Sequence, residues 1–323
     1  MNSIRHYNEK VINGAMISKE EAMIIADAPL EEICSAANEI RKHFCGNHFD
    51  ICAIINGKSG RCAENCKYCA QSAFSSTKIE EYSLLDTETL VEQAKYNDQR
   101  GVLRYSIVTS SKKLNEQEVD KVCESIRVIR NETGIAVCTS FGLLAEEQFI
   151  KLKEAGVSRV HNNLETSRRN FPKVCTTHSY EEKIETIKAA KRAGLNVCSG
   201  GIMGLGETME DRIDMVLTIR ELGIRSIPVN ILIPIPGTPY ENVKKLTNED
   251  MCRIVAVFRF LVPNASIRLA GGRGLLADKG LKCFQSGANA AISGDMLTTS
   301  GISIEQDMEL LKKLGYKAVL WNE

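Results

Sequence analysis

Residues 51–69 read ICAIINGKSGRCAENCKYC and join a short apolar segment to a cysteine-rich loop. The apolar part, 51–56, has the length and composition of a buried strand. In the loop that follows, Cys62, Cys66 and Cys69 are spaced C-x3-C-x2-C. Three thiolates this close together on a flexible loop can converge on one soft metal centre. The stretch therefore predicts a strand that ends at a metal-binding loop.

The alternation of strand and helix continues along the chain. Further strand candidates lie at 103–109, 136–140, 159–164, 196–200, 227–233, 266–270 and 290–293. Helix-period segments lie at 87–99, 115–131, 145–155, 180–193, 209–222, 247–261 and 304–314. Strands that alternate with helices indicate a parallel sheet, and eight such units in about 260 residues fit an α/β fold, the (β/α)8 TIM-type barrel. A doubly wound sheet is the alternative, but no G-x-G-x-x-G loop follows the first strand.

Residues 1–45 precede the first strand and have helical character. Glu31 begins an amphipathic run through Ala37, Ile40 and Phe44 that ends at Gly46. No linker composition separates two large domains. We therefore predict an N-terminal helical segment, 1–45, followed by a barrel with a C-terminal helix, 46–323.

Composition excludes several classes of protein. The 323 residues carry 41 basic and 41 acidic side chains, so no basic excess favours a nucleic-acid or membrane-surface partner. No apolar run approaches the ~20 residues that span a bilayer, and the N-terminus lacks an apolar export signal. The 12 cysteines are therefore expected to be reduced, in a cytoplasmic protein.

The three-cysteine loop favours an iron–sulfur cluster over zinc. Structural zinc sites usually take four protein ligands, commonly as two separated pairs. A 4Fe–4S cluster normally takes four thiolates, so three leave one iron open for chemistry. The alternatives are an accidental cysteine cluster and a small zinc loop. Most of the other cysteines fit the interpretation of small buried hydrophobic residues.

The loop resembles the radical S-adenosylmethionine family, and longer stretches resemble the biotin synthases within it. The similar stretches are 56–72, 198–208, 229–239, 267–273 and 293–299. The resemblance implies sulfur insertion between C6 and C9 of dethiobiotin by 5′-deoxyadenosyl radicals. It implies a 4Fe–4S cluster, S-adenosylmethionine, an auxiliary iron–sulfur cluster that supplies sulfur, and a flavodoxin or ferredoxin electron donor. The family is commonly homodimeric.

The resemblance also implies residue roles. Cys62, Cys66 and Cys69 would hold the 4Fe–4S cluster. The predicted contacts of S-adenosylmethionine are Tyr68, Asn163, Glu165, Lys183, Ser199, Gly200, Gly201 and Glu207. Lys183 stands where the family usually has arginine, so it would supply the charge but not the bidentate fork. Asn163 would also lie near the substrate, and Asn230 would hydrogen-bond the ureido ring. From the residues alone, Asn230 is a barrel-interior amide and the glycines are turn formers.

The auxiliary site departs from the family pattern. Cys138, Cys198 and Arg268 match three of its four usual ligands, whereas Ser106 stands where the remaining cysteine is expected. Serine is a poor ligand here because its hydroxyl is hard and does not ionise near neutral pH. Three interpretations are open: a lost site, a 2Fe–2S cluster with weaker ligation, or a replacement cysteine. Cys175, after the fourth strand, is the candidate replacement, and three thiolates would suit a 4Fe cluster with one open iron.

The sequence leaves alternatives for the roles of several side chains and for the function. Cys52 flanks the first strand, where a ligand role is an alternative to a structural one, and His161 and His178 lie near the fourth strand. The functional alternative is a related radical enzyme, of the hydrogenase-cofactor maturase or amino-acid mutase type. A non-catalytic iron–sulfur carrier or zinc module is an alternative from another class.

Overall fold

A computed structural model describes residues 3–321; positions 1, 2, 322 and 323 of the two predicted segments lie outside the described residues. The strands are β1 His48–Lys58, β2 Arg104–Thr109, β3 Ala136–Ser140, β4 Arg159–His161, β5 Asn196–Cys198, β6 Gly201–Met203, β7 Ser226–Ile231, β8 Ser266–Leu269, β9 Ala290–Ser293 and β10 Lys317–Ala318. The helices are α1 Ile4–Ile12, α2 Lys19–Asp27, α3 Leu30–Cys45, α4 Thr87–Asp98, α5 Glu116–Glu132, α6 Glu146–Ala155, α7 Phe171–Val174, α8 Tyr180–Arg192, α9 Met209–Glu221, α10 Asn248–Leu261, α11 Leu281–Gln285 and α12 Ile304–Leu314. Each predicted strand and helix is present, with bounds that differ by a few residues.

The sheet is parallel and closes on itself. Its strands are ordered β5-β4-β3-β2-β1-β9-β8-β7-β6, so its two edges are β5 and β6. These edges belong to one bent segment, because only Ser199 and Gly200 separate them. The Ser199 N–H donates to the Ser226 carbonyl at 3.0 Å, and the Glu165 N–H donates to the Gly200 carbonyl at 3.0 Å. With β5 and β6 as halves of one strand, the fold is the predicted (β/α)8 barrel.

The outer helices begin and end at local signals in the sequence. At the start of α8 the Ser179 hydroxyl accepts from the Glu182 N–H at 3.1 Å, and the Glu182 carboxylate accepts from the Ser179 N–H at 2.7 Å. The same reciprocal cap recurs at Asn115, Thr208 and Thr247. It supplies partners for backbone donors that a helix start otherwise leaves unpaired. Each strand is thus followed by a sharply defined helix.

The helices before β1 pack on the outside of the barrel. Helix α3 lies against α10, and α2 lies against α9 and α10. The Arg253 side chain in α10 donates to the carbonyls of Ala26 and Ala28 at 2.6 and 2.7 Å, and Arg220 donates to the Ile17 carbonyl at 2.9 Å. These charge-assisted bonds fix the helical segment to the barrel wall.

The C-terminal segment covers the amino ends of the strands. Strand β10 pairs with the start of β1, where His48 is in register with Lys317. The Trp321 carbonyl accepts from Arg104 and Arg159, each at 3.5 Å. A site inside the barrel is therefore approached from the carboxyl ends of the strands, as in other barrels of this type. Within residues 3–321, no helix has the length and apolarity that a membrane span requires.

Candidate active site

A cavity of about 400 Å³ enters the barrel from the carboxyl ends of the strands. Strand alternation decides which side chains reach it, because every second residue of a strand faces the interior. Cys52 and Ile54 of β1 line the cavity, whereas the alternating residues Ile51 and Ala53 belong to the hydrophobic core. Cysteines line the cavity at two depths. We call Cys62, Cys66 and Cys69 the rim cysteines, and Cys52, Cys138 and Cys198 the floor cysteines.

The rim cysteines sit on a loop that the backbone folds back on itself. The Cys62 N–H donates to the Gln71 carbonyl at 2.9 Å, and the Ala73 N–H donates to the Cys62 carbonyl at 2.8 Å. The Cys69 N–H donates to the Cys66 carbonyl at 2.9 Å. All three thiols are half-buried and line the cavity. The structure thus brings together the three predicted ligands at the mouth of the barrel.

A second polar group, which the sequence analysis did not assemble, lies against this loop. The Cys175 sulfur is 3.6 Å from the Cys66 sulfur and 3.3 Å from Nδ1 of His178. His178 in turn contacts the buried Glu64 carboxylate. The Asn65 side chain joins the two loops, because its amide oxygen accepts from the Thr176 N–H at 2.9 Å. The ligand atoms of Cys66, Cys175 and His178 all lie within 4.8 Å of one another.

The Cys66–Cys175 contact has an electrostatic consequence. The hydrogen bond from Cys66 is the largest cause of a low pKa at Cys175; with a smaller contribution from His178 and against the opposing effect of burial, it lowers this pKa to about 3. The same hydrogen bond and burial raise the pKa of Cys66. Cys175 therefore packs against the rim loop through Cys66. The structure does not bring it together with Cys138 and Cys198, where the sequence analysis had offered it as a replacement ligand.

The closing segment of the barrel, Ser199–Gly201, is held by the two predicted amides. The Asn163 side chain accepts from the Gly200 N–H at 3.1 Å. The Asn230 side chain donates to the Gly201 carbonyl at 3.2 Å and accepts from the Gly271 N–H at 2.9 Å. Asn163 and Asn230 both line the cavity, so each has one face on the backbone and one toward the interior.

Close packing at this segment explains its glycines. A Cβ atom on Gly200 would lie 1.9 Å from the Pro228 carbonyl oxygen, and one on Gly201 would lie 2.4 Å from the Glu165 carbonyl oxygen. Any side chain here would therefore force the neighbouring strands apart. Neither glycine is in the left-handed region, so the requirement is for space and not for turn geometry.

Glu165 is an unusual carboxylate beside the closing segment. Its backbone is left-handed, with φ of 70°, which is rare for a residue with a side chain. Burial raises the pKa of Glu165, partly offset by the charge of Lys183. Its Oε2 atom and the Ser199 hydroxyl are buried without a hydrogen-bond partner in the described part of the chain. Burial and the Glu165 carboxylate raise the pKa of the neighbouring Tyr68.

Glu207 organises the turn that leads into α9. Its Oε1 atom accepts from the Gly204 N–H at 2.8 Å and from Nε of Arg212 at 2.8 Å. Its Oε2 atom is buried and has no partner among residues 3–321. Glu207 therefore has one oxygen committed to the turn and one that remains available.

The floor of the cavity combines thiols with buried charge. The Asp50 carboxylate is 3.0 Å from Arg104, 3.0 Å from Arg268 and 3.5 Å from Arg159. Arg268 also donates to the carbonyls of Asp50 and Ala291 at 2.9 and 3.1 Å. Burial raises the pKa of Asp50, but the three guanidinium groups outweigh it and lower the pKa overall.

The floor cysteines differ in ionisation. Burial raises the pKa of Cys52 to about 12, with a smaller opposing effect of Arg268. Burial also raises the pKa of Cys138. For Cys198, the adjacent His161 and the charges of Arg268 and Arg159 outweigh burial and lower the pKa to about 6. Cationic groups thus favour the thiolate form of Cys198, the form in which cysteine binds metals.

Ser106 lies on the same inner face. It is buried in β2, in register with Ile54 on one side and Cys138 on the other. The departure from the family pattern is therefore located at the cavity wall and next to a predicted ligand.

The chain is similar to known proteins over nearly its whole length. Residues 58–219 match the radical SAM superfamily, and residues 228–317 match the biotin and thiamin synthesis associated domain. A biotin synthase of Brachyspira hyodysenteriae is 60% identical over 98% of this chain and 96% of its own. A biotin synthase of Akkermansia muciniphila is 59% identical over 95% of this chain and 96% of its own. The crystal structure of a methylornithine synthase has a TM-score of 0.85 at 20% identity, covering 97% of both chains, which shows the shared fold.

The barrel, the rim cysteines and the superfamily match define the chain as a radical SAM enzyme. The relatives that match nearly the full chain, and the domain matched at residues 228–317, identify one family within this class. The chain belongs to the biotin synthase family, whose members are sulfur-inserting enzymes. The alternative of a hydrogenase-cofactor maturase or mutase is not favoured, because a solved maturase is only 20% identical and shares the fold alone.

Proposed function

We propose that this chain converts dethiobiotin to biotin in the cavity between the rim and floor cysteines. The observation that carries the proposal is the presence of two cysteine groups at two depths of a single cavity. A reaction that generates a carbon radical and also delivers sulfur needs an iron–sulfur centre for each task. A zinc module or a passive iron–sulfur carrier would need neither the second group nor the cavity.

The donor sets fit the groups that the family uses. The rim cysteines would hold a 4Fe–4S cluster with S-adenosylmethionine beside it, because three thiolates leave one iron for a non-protein ligand. When bound, these groups supply 5′-deoxyadenosyl radicals that remove hydrogen from unactivated C–H bonds, and an auxiliary cluster supplies the inserted sulfur. The protein contributes binding, orientation and exclusion of water.

Residues beside the rim fit the charged ends of S-adenosylmethionine. Oε2 of Glu165 is a buried acceptor without a partner in the described residues, and Glu165 lines the cavity, so it suits the methionine ammonium group. The Ser199 hydroxyl also lacks a partner within residues 3–321, but Ser199 is not among the residues that line the cavity. Lys183 lines the cavity and suits the carboxylate. Tyr68 lines it too, and Glu207 retains one buried oxygen without a partner within residues 3–321. Gly200 and Gly201 act indirectly, because they let the segment that carries Ser199 pack closely.

The middle of the cavity fits dethiobiotin. Asn163 and Asn230 each use part of their hydrogen-bonding capacity on the backbone and retain the rest for a ureido ring. The wall around them is apolar and suits an alkyl chain; it includes Ile54, Val108, Ile202, Ile231, Leu232 and Ile292. An apolar wall with a few fixed amides is the usual form of a small-molecule site.

The floor fits an auxiliary iron–sulfur cluster. Cys138 and Cys198 would be ligands, and the cationic surroundings of Cys198 favour its thiolate. Arg268 donates three hydrogen bonds to protein oxygens, and a guanidinium cation has no lone pair to offer a metal. We therefore propose that Arg268 holds the floor together and provides positive charge near the cluster.

The remaining partners are predictions from the family. A flavodoxin or ferredoxin would reduce the rim cluster, and the chain would act as a homodimer in an anoxic cytoplasm. The division into a helical segment, 1–45, and a barrel, 46–323, is likewise proposed as the functional organisation.

The proposal is tested by an anoxic turnover. The chain, reconstituted with iron and sulfide, is incubated with dethiobiotin, S-adenosylmethionine and a flavodoxin reducing system. We expect biotin, with one 5′-deoxyadenosine for each C–H bond broken. A variant with Cys138 and Cys198 both replaced by alanine should still form 5′-deoxyadenosine but no biotin. Formation of 5′-deoxyadenosine without biotin by the unmodified chain would contradict the proposal.

A further inference from the structure

The auxiliary site lacks one thiolate at its expected position. Cys138 and Cys198 face the cavity from β3 and β5, but Ser106 occupies the β2 position next to Cys138. A buried hydroxyl is a hard donor that remains protonated near neutral pH. Two thiolates alone leave two of the four ligand positions of either common cluster type unfilled. The floor therefore needs another soft donor.

Cys52 faces the same floor from the neighbouring strand. In β1, Cys52 is in register with Arg104 and Ile54 is in register with Ser106, so Cys52 lies one inward-facing position below the level of Ser106. It is buried and lines the same cavity as Cys138 and Cys198. Its sulfur donates only a weak hydrogen bond, to the Ala53 carbonyl at 3.4 Å.

Electrostatic contacts link these three sulfurs into one group. Cys52 interacts with Cys138 and with Arg268, Cys138 interacts with Cys198, and Arg268 interacts with both Cys52 and Cys198. The charge of Arg268 thus acts on thiols from two sides of the floor, those of Cys52 and Cys198. Three separate strands, β1, β3 and β5, each contribute one cysteine to this set.

The spacing of the floor thiols suits a cluster better than a single ion. Within residues 3–321, the cysteine group whose ligand atoms all lie within 4.8 Å of one another is that of Cys66, Cys175 and His178 at the rim. The three floor sulfurs do not all lie within this distance of one another, which fits ligands of a cluster of several metal atoms better than ligands of one ion. Cys175 is committed to Cys66, 3.6 Å away, and does not join them.

We propose that Cys52 is the third thiolate of the auxiliary iron–sulfur cluster and acts with Cys138 and Cys198. In this chain the ligand has moved from β2 to β1, across one pair of strands, while the cluster stays at the barrel floor. The inference rests on the proposed function, since that function requires an auxiliary cluster.

The test measures bound iron in a chain that lacks the rim cluster. The background is the full chain with Cys62, Cys66 and Cys69 replaced by alanine, reconstituted anoxically with iron and sulfide. Iron and sulfide analysis with Mössbauer spectroscopy then reports the floor alone. We expect Cys52→Ala in this background to lose the bound iron, as a background that also lacks Cys138 and Cys198 would. Cys175→Ala is the matched control and should retain iron with an unchanged spectrum.

A rescue variant separates loss of a ligand from loss of the fold. Adding Ser106→Cys to the Cys52→Ala background restores a thiol beside Cys138, and we expect bound iron to return with an altered spectrum. Retention of iron and an unchanged spectrum in Cys52→Ala would overturn the assignment, as would equal iron loss in Cys175→Ala. If the background binds no iron, the assignment fails. Biotin formation by the unmodified chain then shows separately whether the proposed function survives.

Discussion

The rim and floor cysteines are held by different kinds of structure. The rim cysteines occupy one short loop and are half-buried, whereas each floor cysteine lies on a different strand and is buried. A loop can adjust to an incoming cluster, but a strand position is fixed by sheet register. The rim site is therefore a property of local sequence. The floor site exists only when the whole barrel has closed.

Loss of a rim ligand should give the largest effect. Cys66→Ala removes one of three thiolates, so formation of 5′-deoxyadenosine should fall by more than the roughly 10–100-fold that outer contacts to a metal ligand typically contribute. Iron at the floor should remain, so the total bound iron should fall only in part. Cys123→Ala is the control, because Cys123 is buried on the core face of α5. This variant should still form both 5′-deoxyadenosine and biotin. Complete loss of iron in Cys66→Ala would show that the two sites are not independent.

The second-largest effect is expected at the buried charges beneath the floor, where Asp50 pairs with arginines. Asp50→Asn removes the carboxylate that pairs with Arg268 and leaves buried cations, so we expect a loss of about 3–5 kcal/mol in the free energy of unfolding. Urea unfolding measures this loss. The surface pair of Arg61 and Glu81 provides the control, because Glu81→Gln should cost less than about 1 kcal/mol.

The Asp50 effect should depend on pH with a defined sign. The folded-state pKa of Asp50 is lowered, so its stabilisation is complete above the unfolded value of about 3.9 and is lost as pH falls below it. The difference in stability between the unmodified chain and Asp50→Asn should therefore be constant near neutral pH and shrink in acid. A difference that grows in acid would contradict the arrangement of charges at the floor.

Barrel closure is expected to be sensitive to a single methyl group. In Gly200→Ala the new Cβ would lie 1.9 Å from the Pro228 carbonyl oxygen, so overpacking should cost roughly 1–3 kcal/mol or more. Gly274→Ala adds the same methyl group where nothing lies within 4 Å, and its stability should change little. Because both asparagine amides bind this segment, Gly200→Ala should also weaken dethiobiotin binding. Equal stability of the two variants would refute the steric argument.

The sequence predicts the barrel and the rim because both depend on patterns among residues that are close together in the chain. Helix caps such as Ser179 and strand–helix alternation require no knowledge of distant contacts. The cysteine spacing at the rim is likewise complete within one loop. The floor depends on which residues of separate strands share a face and a level, and this is set by register.

The position of Cys175, the predicted replacement ligand, depends on contacts that are not evident from neighbouring sequence. Cys175 follows the fourth strand and therefore ends near the barrel mouth, and its loop is fixed to the rim by Asn65 and His178. Cys52 gives no spacing signal because its partners are distant in the chain. Alternation within β1 identifies it as inward-facing, but only the pairing of β1 with β2 sets its level.

Lys183 distinguishes binding at the rim from ligation at the floor. It lines the cavity, and its charge acts on Glu165 and on Cys66. Lys183→Met removes the charge proposed for the carboxylate of S-adenosylmethionine, so KM for that molecule should rise roughly tenfold, equivalent to about 1.4 kcal/mol. Iron content should not change at either depth. Lys183→Arg, which keeps the charge, should retain near-normal KM, and an iron loss in Lys183→Met would place this side chain among the groups that stabilise the cluster loop.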